Sequence, residues 1–196
     1  MVKRLISALM LITVSTAPAY AHLDPVEHGA FAAGFTHPLF GLDHILAMLA
    51  VGLWAASVGG KALWAVPGAF VATMALGFGA ALVGVPLPFV EPVILASVIF
   101  IGIMVALALP LPTAGIAAVV GFFALFHGHA HGGEMGQADT FGYSAGFLVA
   151  TALLNAVGVA AGIGLDRILA TQRGAFAKRI AGGLAALGGV WLVIAG

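Results

Sequence analysis

The chain has no cysteine and very little charge: 7 basic and 7 acidic side chains among 196 residues, with a formal net charge of zero. Without thiols there are no disulfides and no thiolate metal sites, which leaves imidazole and carboxylate as the strong ligands on offer. The balanced charge excludes the basic footprint that a nucleic-acid partner requires. No Walker A loop and no H-E-x-x-H helix occurs, so ATP capture by that route and zincin-type hydrolysis are not encoded. What fills the chain instead is apolar: 62% of residues are hydrophobic and the mean hydropathy is +1.17. That much apolar surface implies an all-α, polytopic membrane helix bundle, in which the bilayer takes the place of a buried soluble core. The 28 glycines suit helices that approach one another closely through small residues.

The N-terminus reads as a secretory leader. Lys3 and Arg4 form a basic start, residues 5–14 an apolar run, and Ala19-Tyr20-Ala21 a small-x-small cleavage site. Residues 1–21 are therefore expected to be removed and 22–196 to form the membrane domain, with an uncleaved anchor helix as the rival. Cleavage exposes His22, whose amine and imidazole can chelate a metal beside Asp24, Glu27 and His28; an ordinary polar lead-in is the bland alternative. About six spans follow, near 28–58, 62–84, 89–109, 113–133, 140–166 and 177–196. Breaks fall at Gly59-Gly60-Lys61, Gly84-Val85-Pro86-Leu87-Pro88 and Pro110-Leu111-Pro112, with a basic loop over 167–179. Lys61, Arg167, Arg173, Lys178 and Arg179 lie on one side of this topology, which the positive-inside rule makes cytoplasmic. Both mature termini and Asp24, Glu27, Glu91, Glu134 and Asp139 then face the other side.

Two polar clusters interrupt the apolar background. Phe126-His127-Gly128-His129-Ala130-His131-Gly132-Gly133-Glu134 places His131 about 40° from His127 on a helix, and Glu134 about 20° to the other side. Those three share a narrow face, whereas His129 projects nearly opposite. The first span holds His37-Pro38-Leu39-Phe40-Gly41-Leu42-Asp43-His44. His37 and His44 share a face with about 20° of drift, and Asp43 sits roughly 100° away in a straight helix. Pro38 and Gly41 allow a local distortion that swings Asp43 inward; alternatively Asp43 orients an imidazole from behind. A carboxylate in the apolar part of a span marks a pathway or a pairing partner. Both clusters fall in the outer halves of their spans, where up to four imidazoles with Asp43 and Glu134 suit a first-row divalent ion such as nickel, cobalt or zinc. The competing readings are a His-rich loop tip and a structural Asp–His bond between helices.

The fifth span adds a polar stripe of Ser144, Thr151 and Asn155, which either lines the interior or bonds between helices. Gly142-x-x-x-Gly146 and Gly158-x-x-x-Gly162 permit close packing. The third and sixth spans, nearly devoid of polar groups, read as packing elements, and Glu91 beside Pro92 as the favourable first turn of a helix.

The two clusters resemble the signatures of the HupE/UreJ family, small bacterial membrane proteins regarded as nickel or cobalt permeases. The pattern H-P-x-x-G-x-D-H matches His37, Pro38, Gly41, Asp43 and His44. F-H-G-x-A-H-G-x-E matches Phe126, His127, Gly128, Ala130, His131, Gly132 and Glu134. With the leader and the number of spans, the resemblance covers the whole chain. It implies secondary import of nickel or cobalt across the bacterial inner membrane for metalloenzyme maturation, with His37, Asp43, His44, His127, His131 and Glu134 as candidate metal ligands. His22, His129 and Asn155 are accessory candidates. Asn155 stands where the fifth-span pattern leads one to expect a histidine, and an amide is a far weaker nickel ligand. The expected protein is not an enzyme and carries no prosthetic group. Its partners are the metal ion and the lipid bilayer, and it is a candidate homo-oligomer. Two other functions compete: an intramembrane metal-dependent hydrolase using Glu134 as base, and a non-transporting, periplasm-facing metal receptor.

Overall fold

The structure, a computed structural model, describes residues 29–195; the leader, its cleavage site, His22 and His28 lie outside the described residues. Seven helices follow one another: α1 (Ala30–Phe40), α2 (Leu42–Val58), α3 (Ala62–Leu82), α4 (Val90–Leu107), α5 (Thr113–Glu134), α6 (Thr140–Leu169) and α7 (Thr171–Ala195). The described residues contain no strand. Helices α3 to α7 are each long and apolar enough to cross a membrane, and α1 with α2 makes a sixth candidate span, bent by 81°. The fold is thus the all-α membrane bundle that composition implies.

The span expected over 28–58 is divided into α1 and α2, bent by 81°, at the place where Pro38 and Gly41 allow a distortion. Pro38 has no N–H for the carbonyl of Gly34, which weakens the last turns of α1. Gly41 then adopts an extended conformation (φ −84°, ψ 112°) and ends one helix while starting the next. The middle spans need little revision; the largest difference is α6, which ends at Leu169 where 166 was expected. The loop expected over 167–179 is absent. Only Ala170, at φ 61°, interrupts two helices, so Arg167 sits in the last turn of α6 while Arg173, Lys178 and Arg179 ride on α7. Gln, Ala, Lys and Arg are good helix formers, and polarity alone does not make a loop.

In lipid the hydrophobic effect does not draw helices together, so packing of small residues does. A Cβ at Gly128 of α5 would collide with the Met74 carbonyl of α3, and one at Gly77 with the Leu125 carbonyl. These two helices therefore touch backbone to backbone. Helix α6 uses the same device twice: Gly146 lies against Phe31 of α1, and Gly158 against Leu49 of α2. Gly102 and Gly182 seat α4 on α7. Asp139 caps α6 by accepting from the Gly142 N–H at 2.7 Å. From α2 onward, successive helices run in alternate directions. One end of the bundle gathers the α1–α2 bend, the start of α4, the end of α5 and the start of α6; the opposite end carries Lys61, Arg167 and Arg173.

Candidate metal site

The bend and the end of α5 bring the two sequence clusters into one group. The ring of His131 lies 4.8 Å from that of His37 and 4.8 Å from that of His44, centroid to centroid. His127 is 5.0 Å from His44. Glu134 Oε2 approaches His37 Nε2 to 2.8 Å. One ligand atom each from His37, His131 and Glu134 lies within 4.8 Å of the others, a spacing that a single ion can draw together.

Burial grades across the group. Glu134 is 44% exposed at its side chain, His37 and His44 are nearly buried, and His127 and His131 are wholly buried. A cavity of about 220 Å³ forms the mouth, lined by His37, Phe40, Gly41, Asp43, His44, Glu91 and Glu134. Three carboxylates thus flank the opening, with the buried imidazoles behind them. Such a mouth concentrates cations, and its charge offsets the loss of water as an ion moves inward. A larger cavity of about 600 Å³ lies at the other end, between Trp54, Ser57, Val58 and residues 108–112. Its lining has no carboxylate and no imidazole.

The buried rings are held, yet their nitrogens are not all used. His131 stacks on Phe147 at 4.9 Å, and neither of its ring nitrogens has a hydrogen-bond partner. His127 sits beside Phe70, with 5.7 Å between ring centroids. Its Nε2 lies 3.0 Å from Ser97 Oγ, and that hydroxyl donates to the Ile94 carbonyl at 2.6 Å. A hydroxyl has one proton; with it committed, Ser97 accepts from His127, which fixes the ring proton on Nε2. The lone pair of His127 is then on Nδ1, which has no partner. Leaving a buried polar atom unpaired costs about 1–3 kcal/mol. Several such atoms in one place fit a group that awaits a ligand.

Of the two sequence alternatives for Asp43, the structure shows the inward swing. The bend brings it to the mouth, and its Oδ1 lies 3.0 Å from His44 Nδ1 without hydrogen-bond alignment. His129 turns away as its helical phase requires, with Nε2 2.9 Å from the Val85 carbonyl after α3. Thr151 and Asn155 are fully buried. Ser144 is not part of that interior stripe; it donates to Phe141 of its own helix at 3.1 Å.

Two residues of α4 went unrecognised in the sequence. Glu91 does occupy the first turn of its helix, but it also lines the mouth. Its signal was available: an acid at the same end of its span as both clusters. Ser97 carried no signal, because a lone serine in an apolar helix usually bonds its own backbone. Helix α4 is therefore more than packing. Helix α7 likewise buries a charge, Lys178, against Asp166 at 2.6 Å.

The fold and site define an all-helical, multi-pass membrane protein with a group of potential cation ligands, histidines and carboxylates, gathered at one end of the bundle. The family profile described as HupE / UreJ protein matches residues 9–192. The chain is also 46% identical over 177 residues to "Protein HupE" of Rhizobium leguminosarum bv. viciae, covering 90% of each chain. This chain belongs to the HupE/UreJ family, a family of membrane accessory proteins implicated in nickel and cobalt handling and not one of enzymes. No solved structure matches it significantly.

Proposed function

We propose that this protein is a permease that imports Ni²⁺ or Co²⁺ across the bacterial inner membrane to supply metalloenzyme maturation. The observation that carries this reading is the gradient from an acidic mouth to wholly buried, hydrogen-bond-free imidazole nitrogens. Asp43, Glu91 and Glu134 attract the hydrated ion. His37, His131 and Glu134 take it first, since their ligand atoms are already grouped. His44 stands beside them at the mouth, and His127, wholly buried 5.0 Å from His44, receives it deeper in the bundle. Imidazole and carboxylate are the ligand types that nickel and cobalt accept when no thiolate is present. The cargo is the only metal the reading requires, and no prosthetic group enters it.

The positive-inside bias of Lys61, Arg167, Arg173, Lys178 and Arg179 supports a periplasmic mouth and periplasmic mature termini. In that orientation the membrane potential favours import by about 2.3 kcal/mol per charge per 100 mV. Protein sequencing that begins at Met1, or labelling from outside at position 173, would reverse or remove this orientation.

Purified protein reconstituted alone into liposomes, with an internal nickel- and cobalt-sensitive dye, tests the function. Uptake that rises with an inside-negative potential is expected. Metal bound by the protein with no movement across the bilayer would instead make it a receptor.

A further inference from the structure

Beyond the histidines, toward the basic end of the bundle, α6 carries a second group of buried polar atoms. Phe147, Thr151 and Asn155 lie on successive turns of one face, each four residues from the last. Phe147 stacks on His131, so the two residues that follow it lie progressively deeper. Thr151 is fully buried, and its hydroxyl points at the thioether of Met74 on α3, Oγ1 to Sδ 3.5 Å. Asn155 is also fully buried, yet neither its Oδ1 nor its Nδ2 has a hydrogen-bond partner. Gly52 of α2 lies against the Asn155 backbone carbonyl so closely that no Cβ fits between them. Other hydroxyls in the neighbouring spans, Ser57 and Thr73, bond back to their own helices. A wholly buried carboxamide with both ends unsatisfied is costly, and a polar occupant accounts for it.

We propose that Thr151, Asn155 and Met74 form an inner relay site for the transported divalent cation. The proposal rests on the permease reading and extends it into the inner half of the bundle. The donors are a hydroxyl, an amide oxygen and a thioether, all neutral and all weaker toward nickel or cobalt than imidazole or carboxylate. Weakness is what this position needs: conduction requires sites that an ion can leave. The outer group captures the cation, and the relay receives it from His127 and His131 and passes it on without retaining it. No proton need be gained or lost, since none of the three groups titrates near neutral pH.

The test compares full-length wild type, Asn155→Leu and Thr151→Val, with Ni²⁺ and Co²⁺ as probes. Each is assayed for uptake into proteoliposomes and for equilibrium binding in detergent. Leucine conserves volume and removes the amide; valine conserves shape and removes the hydroxyl. Uptake should fall about ten-fold or more in each, while binding at the outer group stays within about two-fold, because the relay contributes little to equilibrium affinity. Asn155→His supplies a readout that a purely structural amide would not give: tighter nickel binding, with a second equivalent bound. Wild-type uptake retained in full by both Asn155→Leu and Thr151→Val would overturn the relay alone. Should Asn155→Leu not fold, Thr151→Val and the nickel stoichiometry of Asn155→His decide, and an unchanged result in both overturns it. A wild type that moves no metal at all contradicts the permease reading itself.

Discussion

The two ends of the bundle treat buried polar groups in opposite ways. At the basic end, Lys178 is almost completely buried but donates to Asp166 at 2.6 Å. There too, Arg179 Nε donates to the Ala106 carbonyl at 2.7 Å, closing the end of α4. At the mouth end, His131 has two unpartnered nitrogens and His127 has one. The first arrangement is structural: the two charges are matched through Asp166 Oδ2, and only Asp166 Oδ1 is left without a hydrogen-bond partner. The second forgoes that satisfaction, which a membrane protein sustains only where something else supplies the missing partner. A polar residue in a span is therefore informative through its pairing more than through its presence.

Removing the unpartnered groups should produce the largest effects on function. His131→Ala or His127→Ala is expected to lower uptake at least about 10–100-fold, with membrane abundance unchanged on immunoblots. Equal, partial losses at every histidine would show that the cluster only attracts ions by charge.

At the mouth, Gly41→Ala inserts a methyl 2.8 Å from Asp43 Oδ1 and 2.9 Å from His44 Nδ1. Because the bend must then shift these ligands, nickel affinity by titration should weaken about ten-fold, with little change in thermal stability. Unaltered affinity would mean that neither residue is held in place by the bend.

The basic end should behave in the opposite sense. Lys178→Met leaves the Asp166 carboxylate unmatched and should cost about 1–3 kcal/mol of stability, read as a lower melting temperature in detergent. Uptake per folded molecule should be preserved. The double variant with Asp166→Leu should regain most of the loss, because replacing a buried pair with apolar residues is often neutral. Loss of transport in a stable Lys178→Met protein would place this pair in the conduction machinery and remove the contrast between the ends.

The smallest effect belongs to His129→Ala. It forfeits one hydrogen bond to Val85, worth about 0.5–1.5 kcal/mol, and should retain most uptake. Activity as low as in His131→Ala would put His129 in the site despite its opposite helical phase.

Much of this molecule was legible in the sequence because the bilayer imposes a length and a polarity on every span. The boundaries of α3, α4 and α5 follow from hydropathy and the Pro- and Gly-rich breaks. The facing of His127, His131 and Glu134, and the turning away of His129, follow from helical phase. Helical phase applies only to a straight helix, and that is why the 81° bend at Gly41 escaped: Pro38 and Gly41 announce a distortion without its direction. The meeting of His37 with His131 and Glu134 depends on that direction and on α5 lying beside it. Glu91 and Ser97 were hidden for another reason. Each is a single polar residue on an apolar helix, and only the packing of α4 against the site gives it a role. Residues 167–179 read as a loop because hydropathy registers their charge and ignores their helix propensity.

In the proposed permease, buried imidazoles of α1, α2 and α5 hold the cation together with Glu134. Nickel K-edge X-ray absorption on the full-length protein loaded with one equivalent of Ni²⁺ tests this most directly. The predicted spectrum shows scattering from at least two imidazole rings, reduced in His131→Ala and unchanged in His129→Ala. A shell of oxygen atoms alone, identical in wild type and His131→Ala, would contradict it.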